Sequence, residues 1–437
     1  MTFAPRLRLT FAAVALAFAT GLLAFGVLSR SSHPEHSAAI ESGGAPLAPG
    51  ASTAERIRAL QATVWATPSA AGYAALGLAY VQRVRETGDP TFYPRAERAL
   101  RAGLARDARS VPALTGLGTL ALARHDFAGA LRYGQAAHRA APAAIDPYAV
   151  LVDANVELGR YGAAERALQT FVDRKPTLAS YARVSYFREL HGDLDGAAAA
   201  MRLAVSAGGA APENLSYVQT LLGTLELDRG RAAAAARAYR AALTGVPGYV
   251  PALAGLARVD AARGRLGPAI ARYRDVVARL PLPEHVIALG EAELAAGRTA
   301  PARRDLALVG VEERLLRANG VDTDVDLALF EANHGRPATA VRLARRAWAH
   351  APSVRSADAL GWALTRAGDP AAGVAWARRA LRLGSVDPLF LYHAGMSARA
   401  AGDRVGARRW LSRSLALNPG FSPLYAARAR RALEGLG

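Results

Sequence analysis

Apolar residues along most of this chain recur every three or four positions, the period of a helix buried along one stripe. In one helical stretch after another a small residue follows an apolar one, and a glycine comes seven residues later. The small positions are Gly77, Gly118, Val152, Ser185, Gly223, Ala257, Gly290, Ala328, Gly361 and Gly395, spaced by 41, 34, 33, 38, 34, 33, 38, 33 and 34. The glycines are Gly159, Gly192, Gly230, Gly264, Gly297, Gly335, Gly368 and Gly402. Proline marks the same period, with 34 residues from Pro142 to Pro176 and again from Pro247 to Pro281. Three residue signals on one period near 34 predict about ten helix–turn–helix units over residues 69–423. Glycine permits the positive φ that ends a first helix, and proline stops the second.

The flanks break the pattern. Leu9–Leu28 holds twenty uncharged residues, so a helix there would span about 30 Å, the hydrocarbon thickness of a bilayer. Arg6 and Arg8 precede it and Arg30 follows, which places the N-terminus in the cytoplasm and exports the rest. Residues 1–28 therefore read as a membrane anchor with the repeats extracytoplasmic; the alternative is a cleaved signal, with Ala17-Phe18-Ala19 as the cut site and a secreted product. Residues 29–54 are rich in Ser, Pro, Gly and Ala and read as a flexible linker, in which His33 and His36 are solvated rather than metal ligands. Ile57, Leu60 and Val64 form an apolar stripe on a capping helix over residues 55–68, and residues 424–437 form a second cap.

The units resemble tetratricopeptide repeats. Leu253, Leu256-Ala257, Gly264, Ala269, Tyr273 and Pro281 make one good copy, and Gly223, Gly230, Ala235, Tyr239, Ala242 and Pro247 another. Tyr148, Leu151, Gly159, Tyr161, Ala164, Leu168 and Pro176 make a third, and the last unit closes on Leu417-Asn418-Pro419. The departures are the family's first-helix tryptophan position, taken throughout by other residues such as Tyr148 or Leu253, an insertion around Thr87–Tyr93, and extra residues around Gly310–Asn319. The resemblance implies an all-α, right-handed superhelical solenoid whose surfaces bind proteins or peptides. A solenoid unit touches only its neighbours, so an elongated rod is expected.

Chemistry inside the repeats is sparse. There is no cysteine, which excludes disulfides and thiolate sites. Gly116-x-Gly118-x-x-Ala121 lacks the preceding strand of a nucleotide loop. Asp322-x-Asp324-x-Asp326 has Leu327 and Asn333 where a calcium loop needs Gly and Glu, so acids at a helix N-terminus explain it better. No catalytic residues, metal site or cofactor are expected, and sequence-specific nucleic-acid binding is not either.

Candidate binding residues follow from the repeat phase. First-helix positions beside the small residues should line a concave groove: Asp153, Glu157, Tyr186, Glu189, Tyr217, Asp228, Arg258, Glu291, Trp362 and Arg399. Tyr186 and Trp362 read equally as packing between units. The formal net charge is +18, from 54 basic residues of which only Lys175 is a lysine. A single lysine, in a loop, argues against the arrays that clamp chaperone C-terminal carboxylates. Second helices carry Arg98, Arg132, Arg166, Arg237, Arg304, Arg342 and Arg409 at one register, with Arg101, Arg202, Arg240, Arg274, Arg345 and Arg378 near it, which predicts a charged convex face. Residues 336–437 hold 17 arginines against 5 acids. Arg342, Arg345, Arg346, Arg378, Arg379, Arg382, Arg408, Arg409 and Arg413 should therefore form a basic patch. The expected function is a membrane-tethered adaptor for protein partners. Alternatives are binding of an acidic polymer or anionic lipid through the patch, or service as an accessory subunit of a separately encoded enzyme.

Overall fold

A computed structural model describes residues 52–208 and 212–436. The proposed anchor and nearly all of the linker lie outside them; among the described residues no helix is long and apolar enough to cross a membrane. The described residues form 23 helices and no strand. A capping helix α1 (Thr53–Ala66) begins at a reciprocal cap, in which Ser52 accepts from the Glu55 amide and Glu55 accepts from the Ser52 amide. The first five units are α2/α3 (Ala70–Thr87, Phe92–Arg106), α4/α5 (Val111–Ala123, Phe127–Ala140), α6/α7 (Pro147–Glu157, Tyr161–Arg174), α8/α9 (Leu178–Glu189, Leu194–Ala207) and α10/α11 (Pro212–Asp228, Ala232–Gly245). The sixth is α12/α13 (Val250–Ala262, Leu266–Arg279). In the seventh, α14 (Pro283–Ala295) pairs with a short α15 (Thr299–Leu306), and the extra residues form a further helix, α16 (Val309–Ala318). Then come α17/α18 (Asp324–His334, Pro337–His350), α19/α20 (Val354–Arg366, Pro370–Ala380), α21/α22 (Pro388–Ala400, Arg404–Leu417) and the terminal cap α23 (Tyr425–Glu434).

Within a unit the helices cross where one side is a small residue. A methyl on Gly223 would fall 2.6 Å from the ring of Tyr239, and one on Gly395 would fall 2.6 Å from Leu411. Tyr239 is fully buried, with its hydroxyl 2.8 Å from Thr224 Oγ1. Most turns close by one device. The amide after the glycine donates back five residues, as in Arg160 N to Asn155 O at 2.8 Å and Arg265 N to Asp260 O at 2.9 Å, while the glycine takes a positive φ. Three units depart from it, the first because the Asp89 amide after Gly88 donates to Thr87 Oγ1 at 3.3 Å. Gly335 has φ −121°, so the positive φ expected at every turn glycine fails there, and Glu331 caps the turn by accepting from the Arg336 amide at 2.6 Å. In the second unit His125 takes the positive φ instead, at 60°.

The array is not an open rod. Its second half winds back over its first, and the junction after unit n+5 sits on the turn of unit n. Leu280 reaches Gly88, Asp322 reaches the 124–125 turn, Pro352 reaches Gly159, Val386 packs with Leu194, and Leu417 reaches Gly230. Hydrogen bonds stitch this seam. Asp322 N donates to Arg124 O at 2.9 Å, and His125 Nδ1 lies 2.6 Å from Asp322 O, which holds the strained turn in place. Val354 N donates to Tyr161 Oη at 2.9 Å, and Asn418 Nδ2 donates to Leu227 O at 2.8 Å. Apolar burial crosses it as well, since Tyr186, Tyr217 and Leu221 share a core with Val354, Ala357 and Phe390. Turn glycines report the same geometry. An added methyl meets the other tier's backbone at Gly159 and Gly230, yet meets nothing within 4 Å at Gly264, Gly297, Gly368 or Gly402; unit 6 is reached instead at Ala262, whose carbonyl oxygen would lie 2.4 Å from a methyl on Gly420. The expectation that units touch only their neighbours is thus corrected: the superhelix closes on itself in two stacked tiers.

Candidate functional site

The first helices face inward, and the closed coil brings their polar side chains into internal pairs. Asp153 on α6 accepts from Arg183 Nε at 2.9 Å and from Nη2 at 2.6 Å, both residues being buried. Burial still outweighs the guanidinium and pushes the Asp153 carboxyl up to about 6. Glu157 accepts from the Tyr186 hydroxyl at 3.3 Å, and across the seam Arg355 Nη1 approaches it to 4.0 Å. Asp228 pairs with Arg258 at 3.0 Å. Glu291 lies 3.0 Å from His334 Nε2 and accepts from Tyr425 of the terminal cap at 2.7 Å. Tyr217 lies under the Arg85 guanidinium, 5.1 Å from its ring centre, and Arg85 is paired with Glu213 at 2.8 Å. Trp362 donates to Asn333 at 2.8 Å and stacks on His393, ring centres 4.5 Å apart.

Seven of the ten candidate groove residues, Asp153, Glu157, Tyr186, Glu189, Tyr217, Asp228 and Trp362, are therefore buried. Arg258 and Glu291 are half-buried, and only Arg399 is exposed. The residues that repeat phase did not supply are Arg85, Arg183 and Arg355, the cations that neutralise this inner surface. Arg183 follows Asp153 by 30 positions and so sits about one unit on; Arg355 follows Glu157 by 198 and comes from the other tier. One acidic group stays uncompensated. Glu189 lies near Asp228 and Asp387, and Asp387 lies near Asp358 and Asp228; burial, then these neighbouring carboxylates, push both carboxyls well above the ordinary range. Asp387 Oδ1 accepts from the Phe390 amide at 2.8 Å, while its buried Oδ2 has no partner. Among the described residues no group of three or more His, Asp or Glu side chains is placed to hold a metal ion. Asp322 acts as a local cap, accepting from the Asp324 amide at 2.8 Å, and Asp324 is engaged by Arg317 and Arg346.

The outer surface is different. All thirteen arginines of the second-helix stripe are exposed, from Arg98 to Arg409. The nine residues of the basic patch are exposed too, carried by α18, α20 and α22 and the loop after α20. Five of them are engaged: Arg346 forks onto Asp324, Arg379 lies over Trp348 and Trp376, Arg382 over Tyr161, Arg409 over Trp410, and Arg408 donates to the Leu436 carbonyl. Arg342, Arg345, Arg378 and Arg413 have no partner among the described residues, leaving four guanidinium groups exposed on successive second helices.

Helix pairs of this length, crossing on small residues and ending on a proline or a left-handed glycine, are the geometry of tetratricopeptide repeats. The fold is a tetratricopeptide-type superhelix. The chain is similar to several solved structures. A chain of the Cut9–Hcn1 hetero-tetramer of the APC/C is 16% identical, with 87% of each chain covered and a TM-score of 0.37. The tetratricopeptide domain of P58(IPK) is 12% identical over 88% of this chain and 94% of that one, at a TM-score of 0.28. A tetratricopeptide repeat protein from Parabacteroides merdae ATCC 43184 is 17% identical over 63% of this chain and 98% of that one, at 0.33. No family profile matches the chain, and no curated protein does.

Proposed function

We propose that this protein is a scaffold that holds acidic protein partners on its outer, arginine-bearing surface, rather than an enzyme. The observation that carries the reading is the division between the two faces: the inner one is buried in its own ion pairs, and the outer one presents unpaired guanidinium groups on adjacent helices. Such a patch raises the local concentration of acidic partners and speeds encounter, an effect screened beyond about 8 Å at physiological salt. In this reading residues 9–28 tether the scaffold to a membrane with the repeats outside the cytoplasm, or release it after cleavage. The test is crosslinking and pull-down from membrane extracts with wild type and with R342Q/R345Q/R378Q/R409Q. Partners captured by both forms alike would refute the outer-face reading. The four unpaired arginines also favour a second reading, in which the ligand is an acidic polymer or anionic lipid. A heparin column and anionic vesicles, each run across a salt series, separate that case from a protein partner.

A further inference from the structure

Where unit 10 stacks on unit 4, the seam leaves an open-sided cavity of about 550 Å³, within the ~300–1,000 Å³ range of ligand pockets. One wall is apolar, from Leu194, Val386 and Leu417. The other is made of guanidinium groups: Arg229 and Arg231 from the unit 5 turn, and Arg413 from α22. Their counter-charges are too few. Glu226 is buried and shared by Arg202 at 2.7 Å, Arg229 at 3.2 Å and Arg231 at 3.8 Å. Asp195 is the other acid, and it is 87% exposed while serving both Arg229 and Arg231, the latter at 3.6 Å. Asp193 contributes nothing further, because it caps α9 through the Gly196 amide and leans on Arg188. Three arginines thus share two carboxylates, and Arg413 has none among the described residues. Burial pulls the Arg229 guanidinium below its ordinary value, opposed by Glu226 and Asp195 but reinforced by Arg231 and Arg202. The site is short of anionic charge.

We propose that this seam cavity binds an acidic, aliphatic peptide segment of a partner, its carboxylate set between Arg231 and Arg413 and an apolar side chain against Leu194, Val386 and Leu417. A free inorganic anion would satisfy the arginines and leave the apolar wall wet, so a ligand that carries both groups fits better. Because each wall draws residues both from unit 10 and from unit 4 or 5, the bound segment also clamps the two tiers together. The inference rests on the scaffold reading and names one partner chemistry for it.

The experiment is calorimetric titration of the full chain in detergent with Ac-Glu-Leu-Asp-Glu-Leu-NH2, its amide analogue Ac-Gln-Leu-Asn-Gln-Leu-NH2, and succinate. The acidic peptide should bind, the amide analogue should not, and succinate should bind at least about tenfold more weakly than the peptide. R231Q and R413Q, both at solvent-exposed side chains, should each weaken the peptide about tenfold and leave helicity unchanged. No binding, equal binding of the amide analogue, or equal affinity in both variants would overturn the site. Succinate binding as tightly as the peptide would overturn the peptide occupant. R342Q/R345Q/R378Q/R409Q should keep full peptide affinity, so failure at the seam with partners still captured through the outer patch would sink this inference alone.

Discussion

Two turn glycines with nearly the same backbone isolate the seam. Gly159 has φ 67° and Gly264 has φ 74°, so alanine costs about 1–2 kcal/mol at either place for the left-handed conformation. At Gly264 the new methyl meets nothing within 4 Å. At Gly159 it would fall 2.3 Å from the Pro352 carbonyl oxygen of the upper tier, about 1 Å short of ordinary contact. Both partners are backbone, so no rotamer change relieves the clash, and the junction must retreat. That retreat endangers the Val354 to Tyr161 hydrogen bond beside it and adds about 1–3 kcal/mol, as overpacking does elsewhere. Gly159→Ala should therefore lose about 2–5 kcal/mol and Gly264→Ala about 1–2 kcal/mol. Gly230→Ala, facing Leu417 O at 2.7 Å, should fall nearer the first than the second. Urea unfolding followed by circular dichroism at a fixed temperature measures the difference. Equal losses for Gly159→Ala and Gly264→Ala would refute the claim that the tiers touch in solution.

Other outcomes follow from the same geometry. A fragment starting at residue 52 should scatter with a radius of gyration near 21 Å, the compact-domain value for its length, and a markedly larger radius would mean an open coil. Asp153→Ala strands the buried Arg183 guanidinium and should cost about 3–5 kcal/mol in urea titration, whereas a loss below 1 kcal/mol would show the pair to be hydrated. Glu189 and Asp387 have raised folded-state values, so the folded protein holds their protons longer; the stability they confer is complete below pH ~4 and is lost as pH rises through the folded values. Glu189→Gln and Asp387→Asn should each raise Tm at pH 8 and flatten its fall between pH 4 and 8, and an unchanged profile would mean that neither carboxylate is buried among the neighbouring acids. Removing α23 strips Tyr425 and Ala429 from the last core and should produce aggregation, visible by light scattering.

What the sequence discloses here is local. The period near 34 located every helix pair because each pair is held by residues within one unit, such as Gly223 against Tyr239. It also marked the irregular unit, since the extra residues after Gly310 had nowhere to go in a two-helix hairpin and became α16. The outer arginine stripe was legible for the same reason, because it depends only on the helical angle between Arg and the core-facing Ala of one helix. The closure was not. Gly159 and Gly264 follow the same repeat, and only the first has the other tier's backbone within reach of an added methyl. That difference arises from the rotation between units, accumulated over about five of them until the coil has made a full turn, and no single residue encodes it. The partners of the inner face divide accordingly: Arg183 lies one unit from Asp153, within reach of repeat-phase reasoning, whereas Arg355 meets Glu157 only because the coil has turned. Gly335 shows the limit of the local rule too, for the Glu331 cap removes the need for a left-handed residue.

Closure also sets a thermodynamic condition on how the proposed scaffold would bind. A partner that used the inner carboxylates would first have to part the tiers, giving up the seam hydrogen bonds at Arg124, Tyr161 and Leu227 and the shared core of Tyr186 and Tyr217 with Val354 and Phe390. Each such hydrogen bond is worth about 0.5–1.5 kcal/mol net, so three of them alone amount to a few kcal/mol before any apolar contact is counted. Every 1.4 kcal/mol spent on opening lowers the apparent affinity about tenfold, because only the open fraction is competent to bind. A ligand on the outer arginines or in the seam cavity bears no such cost, and one in the cavity gains from closure because it touches both tiers. Opening and cavity binding are then opposed through linkage: whatever occupies the seam cavity should disfavour any partner that needs the inner face, by the same factor in both directions.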